Sequence, residues 1–152
     1  TDLIKASALT GKPVNIKKGQ FLSPEDMFNV IKKAEKFGNN KLSLTERGAS
    51  FGYHNLVVDF RGLEIMKQTG YPVIFDATHS VQLPGGQGHK SGGNREFVYP
   101  LSKAAAAVGV AALFLETHEN PDKALSDGAN SIDLKYLQKV LKEIKKIDKV
   151  VK

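Results

Sequence analysis

Val73-Ile74-Phe75-Asp76-Ala77-Thr78-His79-Ser80-Val81-Gln82 is the stretch that decides the fold. An apolar β-run stops at Asp76, Thr78 and His79. Leu83-Pro84-Gly85-Gly86-Gln87-Gly88-His89-Lys90-Ser91-Gly92-Gly93 comes next as a glycine-rich loop. Three other segments have the same form. Val14-Asn15-Ile16 runs into Lys17-Lys18-Gly19-Gln20, Leu42-Ser43-Leu44 into Thr45-Glu46-Arg47-Gly48, and Ala112-Leu113-Phe114-Leu115 into Glu116-Thr117-His118. Short apolar strands that end in charged groups and alternate with helices are the sequence form of a parallel α/β sheet. In a (β/α) barrel such strand ends converge on one mouth.

The helices between these strands are read from their punctuation. Asp2 to Leu9 is predicted helical, with Thr1 or Asp2 able to cap. Ser23-Pro24-Glu25-Asp26 is a helix start, and Met27, Val30, Ile31 and Ala34 supply its apolar stripe. A helix falls within 56–68, and another over 94–108. Asp133 caps the last, whose apolar face is Leu134, Leu137, Val140, Leu141, Ile144, Ile147 and Val151. Strands are expected at 13–16, 41–46, 73–76 and 110–115. The resulting order is α-β-α-β-α-β-α-β-α, in one domain over 1–152. Four parallel strands are half of an eight-stranded barrel, which typically takes about 250 residues. The expected fold is a C-terminal half-barrel of a (β/α)8 parent, with a self-sufficient flavodoxin-like sheet as the alternative.

Composition narrows the function classes. The 152 residues hold no Cys, so the chain offers neither a disulfide framework nor a thiolate nucleophile or ligand. No apolar run approaches the roughly 20 residues of a membrane span. No signal peptide is read at the start, and the expected location is the cytoplasm. The net charge of +6 owes much to Lys135, Lys139, Lys142, Lys145, Lys146, Lys149 and Lys152. They read as a solvated helix face with cations toward the negative end of the dipole. Tyr136 is the one aromatic among them, and no nucleic-acid motif accompanies them.

The strand ends carry the chemistry. Lys17 and Arg47, on neighbouring strand ends, offer a point charge and a rigid fork to a bound anion. The competing reading is an ion pair with Glu46 or Asp76. Gln20 can add an amide to the same ligand. His79, Glu116 and Asp127 form a second group, equally suited to a divalent metal and to proton handling without one. A third reading makes His79 a satisfied core histidine and pairs the acids with lysines. His118 is expected on the opposite side of its strand end, and His54 and His89 in solvated loops. The loop over 80–93 is read as a lid or a backbone phosphate cradle. It is neither a P-loop nor a dinucleotide fingerprint.

Taken together, Asn15–Phe21, Thr45–Tyr53, Asn55–Asp59, Asp76–Gln82, Ser91-Gly92-Gly93, Glu116-Thr117-His118 and Leu125–Gly128 resemble the 3-deoxy-D-manno-octulosonate 8-phosphate synthases. The resemblance runs essentially from Thr1 to the end. It implies a (β/α)8 barrel and a homotetramer. The implied reaction condenses phosphoenolpyruvate with arabinose 5-phosphate, in lipopolysaccharide precursor synthesis. Lys17, Arg47 and Gln20 match phosphoenolpyruvate-binding positions. His79, Glu116 and Asp127 match three of four metal ligands in the metal-dependent class. The implied catalytic residues are His79, Lys17 and Asp127, with His79 also touching substrate. The only cofactor implied is one divalent metal ion in that class, with no organic cofactor, and neither nucleic acid nor membrane is an implied partner. The chain resembles the part of the family's barrel beyond its fourth strand, so the metal class stays open and the isolated chain is expected to be inactive. The related heptulosonate-phosphate synthases, which use erythrose 4-phosphate, and a non-catalytic half-barrel remain alternatives.

Overall fold

The computed structural model describes residues 1–52, 55–85 and 92–152. Four parallel strands form one sheet: β1 (Val14–Lys17), β2 (Leu42–Glu46), β3 (Val73–Asp76) and β4 (Ala112–Phe114). They lie in chain order. Val14 is opposite Leu42, Leu44 opposite Val73, and Ile74 opposite Ala112. Each strand is preceded by a helix: α1 (Asp2–Ala8), α2 (Asp26–Lys36), α3 (Arg61–Lys67) and α4 (Val98–Val108). A fifth, α5 (Leu134–Val151), comes last. All four C-terminal strand ends therefore open on the same side of the sheet.

The expected strands are present to within two residues of their predicted ends, because each apolar run is bounded by turn residues. Ser23 and Asp26 open α2 reciprocally: the Asp26 N–H donates to Ser23 Oγ at 3.3 Å, and the Ser23 N–H to Asp26 Oδ2 at 2.9 Å. Asp133 caps α5, its carboxylate accepting from the Lys135 N–H at 3.0 Å. Three local expectations need correction. Thr1 stands at the start of α1 but makes no capping bond through its side chain. The segment 94–108 is not one helix; a 3-10 turn, Arg95–Phe97, precedes α4. The segment 56–68 opens with Leu56–Val57, which pairs antiparallel with Ala49–Ser50, and the helix starts only at Arg61.

The core lies between sheet and helices. Leu44 and Phe75 on the central strands, Met27 on α2, and Leu63 and Met66 on α3 are all fully buried. Each contributes about 1.5–3 kcal/mol of burial. The apolar face of α5 is only partly used: Val140 and Ile144 are buried against Ala106 of α4, while Leu134, Leu141 and Val151 stay exposed. The stripe is wider than the surface that α4 and the edge strand β4 offer it. No helix among the described residues is long and apolar enough to cross a membrane.

The glycine-rich stretch is held at its base. A 3-10 turn at His79–Val81 leads to Gln82–Leu83, which pairs antiparallel with Gly92–Gly93. A side chain at Gly93 would collide with the buried Asn130 amide, which fills the place where a Cβ would stand. The tip of the predicted lid, 86–91, lies outside the described residues, as does His54.

Candidate active site

Asp76, the last residue of β3, organises one side of the mouth. It is fully buried. Its Oδ2 accepts from Lys17 Nζ at 2.8 Å, across the sheet from the end of β1. The same oxygen lies 2.8 Å from His79 Nδ1, and its Oδ1 accepts from the His79 N–H at 2.9 Å. Burial pushes the Asp76 carboxyl upward, but the two bonds from His79 and the one from Lys17 outweigh it. The net position lies below the ordinary carboxylate value. An ionised Asp76 accepts only, so the imidazole proton sits on Nδ1.

That tautomer leaves the lone pair on Nε2, which faces Glu116, just past β4, whose Oε2 is 3.2 Å away. A bare imidazole lone pair facing a carboxylate is repulsive; a proton or a cation between them removes the conflict. Asp127 completes the group. One ligand atom each from His79, Glu116 and Asp127 lies within 4.8 Å of the others. Asp127 is held with φ 51°, the one positive φ outside glycine among the described residues. Its carbonyl accepts from the N–H groups of Asn130 and Ser131. The backbone of Glu116 is tied to the end of β3, its N–H donating to Thr78 Oγ1 at 2.8 Å. One imidazole nitrogen and two carboxylates, with a carboxylate behind the imidazole, fit a divalent transition metal. The three residues could therefore hold a divalent metal ion.

Lys17 and Arg47 are not equivalent. Lys17 is the paired one: besides Asp76, its Nζ stands 4.0 Å from the centroid of the Phe114 ring. The competing reading of Lys17, an ion pair with Asp76, is thus real. Glu46 goes elsewhere, lying 3.5 Å from Lys18 Nζ with both groups almost wholly buried. Arg47, immediately after β2, has no carboxylate partner among the described residues. Its Nη2 donates to the neutral Gln82 Oε1 at 3.2 Å. Its charge remains available to an anion. Gln20 is drawn aside, its Oε1 accepting from Ser50 Oγ at 3.3 Å. His118 is outside the metal-ligand group, its Nδ1 accepting from the Asn120 N–H.

The structure thus brings His79, Glu116 and Asp127 together and joins Lys17 to His79 through Asp76. It joins Arg47 to Asp127 through Gln82, whose Nε2 donates to Asp127 Oδ1 at 2.9 Å. Asp76 and Gln82 were not among the residues expected to act. The signal for Asp76 was its place as the last strand residue, three before His79. Gln82 gave none, because its partners lie 35 and 45 positions away.

A parallel sheet whose strand ends gather cations, acids and an imidazole at one mouth fits part of a (β/α)8 barrel. The chain belongs to the DAHP synthetase I family, whose model matches residues 1–152, and its fold is part of such a barrel. A protein of Pelobacter propionicus named 2-dehydro-3-deoxyphosphooctonate aldolase is 62% identical over 152 residues, covering 100% of this chain and 56% of its own length. Proteins of the same name from Geotalea daltonii and Methylibium petroleiphilum are each 60% identical, over 152 and 158 residues, with 56% and 55% of their lengths covered. The chain spans about half the length of the curated relatives it matches.

Proposed function

We propose that this chain carries part of the active site of a 3-deoxy-D-manno-octulosonate 8-phosphate synthase. The enzyme condenses phosphoenolpyruvate with D-arabinose 5-phosphate and releases inorganic phosphate, in lipopolysaccharide precursor synthesis. The observation that carries the reading is the shared name of relatives 60–62% identical over the whole chain. The geometry supports it. Arg47, steadied by a neutral amide, keeps its charge for a carboxylate or phosphate. Lys17 stands at the neighbouring strand end, 2.8 Å from Asp76, and adds its charge once an anion draws its ammonium from that carboxylate.

With phosphoenolpyruvate held by these cations, the sugar aldehyde is placed over the enol carbon and the carbon–carbon bond forms. Water then adds at the carbon bearing the phosphate, and phosphate leaves. Positioning two anions and excluding bulk water supply much of the rate. In the absence of a metal, His79 manages a proton at Nε2, since its Nδ1 is committed to Asp76. Asp127 is the second acid–base group beside it. A divalent metal on His79, Glu116 and Asp127 would supply polarisation of the aldehyde or of water. The reading includes a cytoplasmic homotetramer that needs no organic cofactor and takes neither nucleic acid nor membrane as partner. Gln20 joins the phosphoenolpyruvate pocket once released from Ser50.

The family description itself favours one rival, a heptulosonate-phosphate synthase acting on erythrose 4-phosphate. Phosphate release by the full-length protein, with each sugar phosphate in turn, separates the two. Faster release with arabinose 5-phosphate is the expected result, and a preference for erythrose 4-phosphate sinks the assignment. In the same protein, Arg47→Ala should weaken phosphoenolpyruvate binding by about tenfold or more, the worth of a charge-assisted contact. Unchanged affinity would remove Arg47 from the anion site.

A further inference from the structure

We propose that Gln82 is a positioning residue that couples the anion held by Arg47 to a divalent cation held by Asp127, so that each tightens the binding of the other. The inference rests on the condensation reading and adds a relay to it. The Gln82 amide is the only side chain among the described residues seen to bond to both. Its Oε1 accepts from Arg47 Nη2 at 3.2 Å, and its Nε2 donates to Asp127 Oδ1 at 2.9 Å. The orientation is dictated at both ends. A flipped amide would set an N–H against the guanidinium and an oxygen against the carboxylate.

The backbone fixes where the amide stands. Gln82 comes directly after the 3-10 turn that begins at His79, and it is opposite Gly93 in the short ladder. The ladder is closed by the Asn94 N–H donating to the Val81 carbonyl at 3.1 Å. A single turn therefore delivers both the imidazole of the cation group and the amide behind Arg47 and Asp127. Being neutral, the amide aligns Arg47 without cancelling its charge, and restrains Asp127 without competing for a metal as a second charge would. A ligand that fixes one end strengthens the amide's hold on the other, which is then more fully ordered when its own ligand arrives. That lowers the ordering cost of the second event, which is positive coupling.

The test uses the complete protein with Mn²⁺ and phosphoenolpyruvate as probes, each titrated calorimetrically alone and in the presence of the other. In the wild type, phosphoenolpyruvate is expected to raise Mn²⁺ affinity by about fivefold or more. Gln82→Met keeps the length without the hydrogen bonds. Each ligand should still bind it alone within about threefold of wild type, while the coupling falls to about twofold, the part left to direct attraction between the ligands. Gln82→Glu gives a second signature. Its carboxylate pairs with Arg47 and faces Asp127, so phosphoenolpyruvate binding should weaken about tenfold while Mn²⁺ binding holds or tightens. A merely structural role would move both ligands the same way.

Coupling retained in Gln82→Met, wild-type coupling below about twofold, or parallel losses in Gln82→Glu each overturn the relay. Phosphoenolpyruvate binding without Mn²⁺ binding overturns the relay and leaves the condensation reading standing. Binding of neither ligand overturns both.

Discussion

Asp76 receives three hydrogen bonds, from the Lys17 ammonium and from the ring and backbone of His79. Asp76→Asn keeps the shape but puts an amide where an acceptor-only group stood, so the imidazole loses the partner that fixes its tautomer. Metal affinity or turnover in the complete protein should fall about 10–100-fold, as for other partners behind a metal-ligating histidine. The same residue predicts an acid limit. Its folded-state carboxyl lies below the ordinary value of 3.8. Near and below that value the unfolded chain therefore binds more protons, and stability rises with pH. The contribution is fully present above 3.8 and is lost as pH falls through the folded value. Denaturant melts between pH 5 and pH 3 should show a shallower acid loss in Asp76→Asn than in the wild type. Equal slopes would mean that Asp76 is not the linked group.

At the level of elements, the helix starts were the most legible part of the chain. Ser23-Pro24-Glu25-Asp26 and Asp133 announce themselves because the capping side chain and the N–H it satisfies are two or three residues apart. Ser23→Ala removes the acceptor for the Asp26 N–H and should cost about 1 kcal/mol in urea or thermal unfolding. No change would mean that the reciprocal bond from Asp26 suffices. The short ladders were illegible for the opposite reason. Leu56–Val57 and Gly92–Gly93 are two-residue strands paired with segments elsewhere, and no periodicity can be read over two residues. The turn at Arg95–Phe97 runs directly into α4, and a tighter first turn leaves no separate mark in the sequence. The chemistry was half legible in the same sense. Residue types at strand ends named His79, Glu116, Asp127, Lys17 and Arg47. Which cation is neutralised depends on side chains 35 and 59 positions apart meeting across the sheet.

Over the whole molecule, β2 and β3 are flanked on both sides and β1 and β4 on one only. Protection from amide hydrogen exchange should follow that order in the 152-residue chain. Leu44 and Phe75 are expected to exchange slowest, and Asn15 and Leu113 well before them. Equal protection of all four strands would show that something pairs with the outer two. The covered share of the relatives' length, 56%, agrees with a sheet of four strands as part of an eight-stranded barrel.

Phe114 has a use that arises from composition. It lies on an outer strand, 38% exposed, with the Lys17 ammonium over its ring and the His79 ring 5.9 Å away. The chain contains no tryptophan. Phe114→Trp would thus give these 152 residues a single indole emitter, beside Lys17 and His79. Light from that one position would change as an anion draws the ammonium off the ring, and would make the arrival of each ligand visible in time.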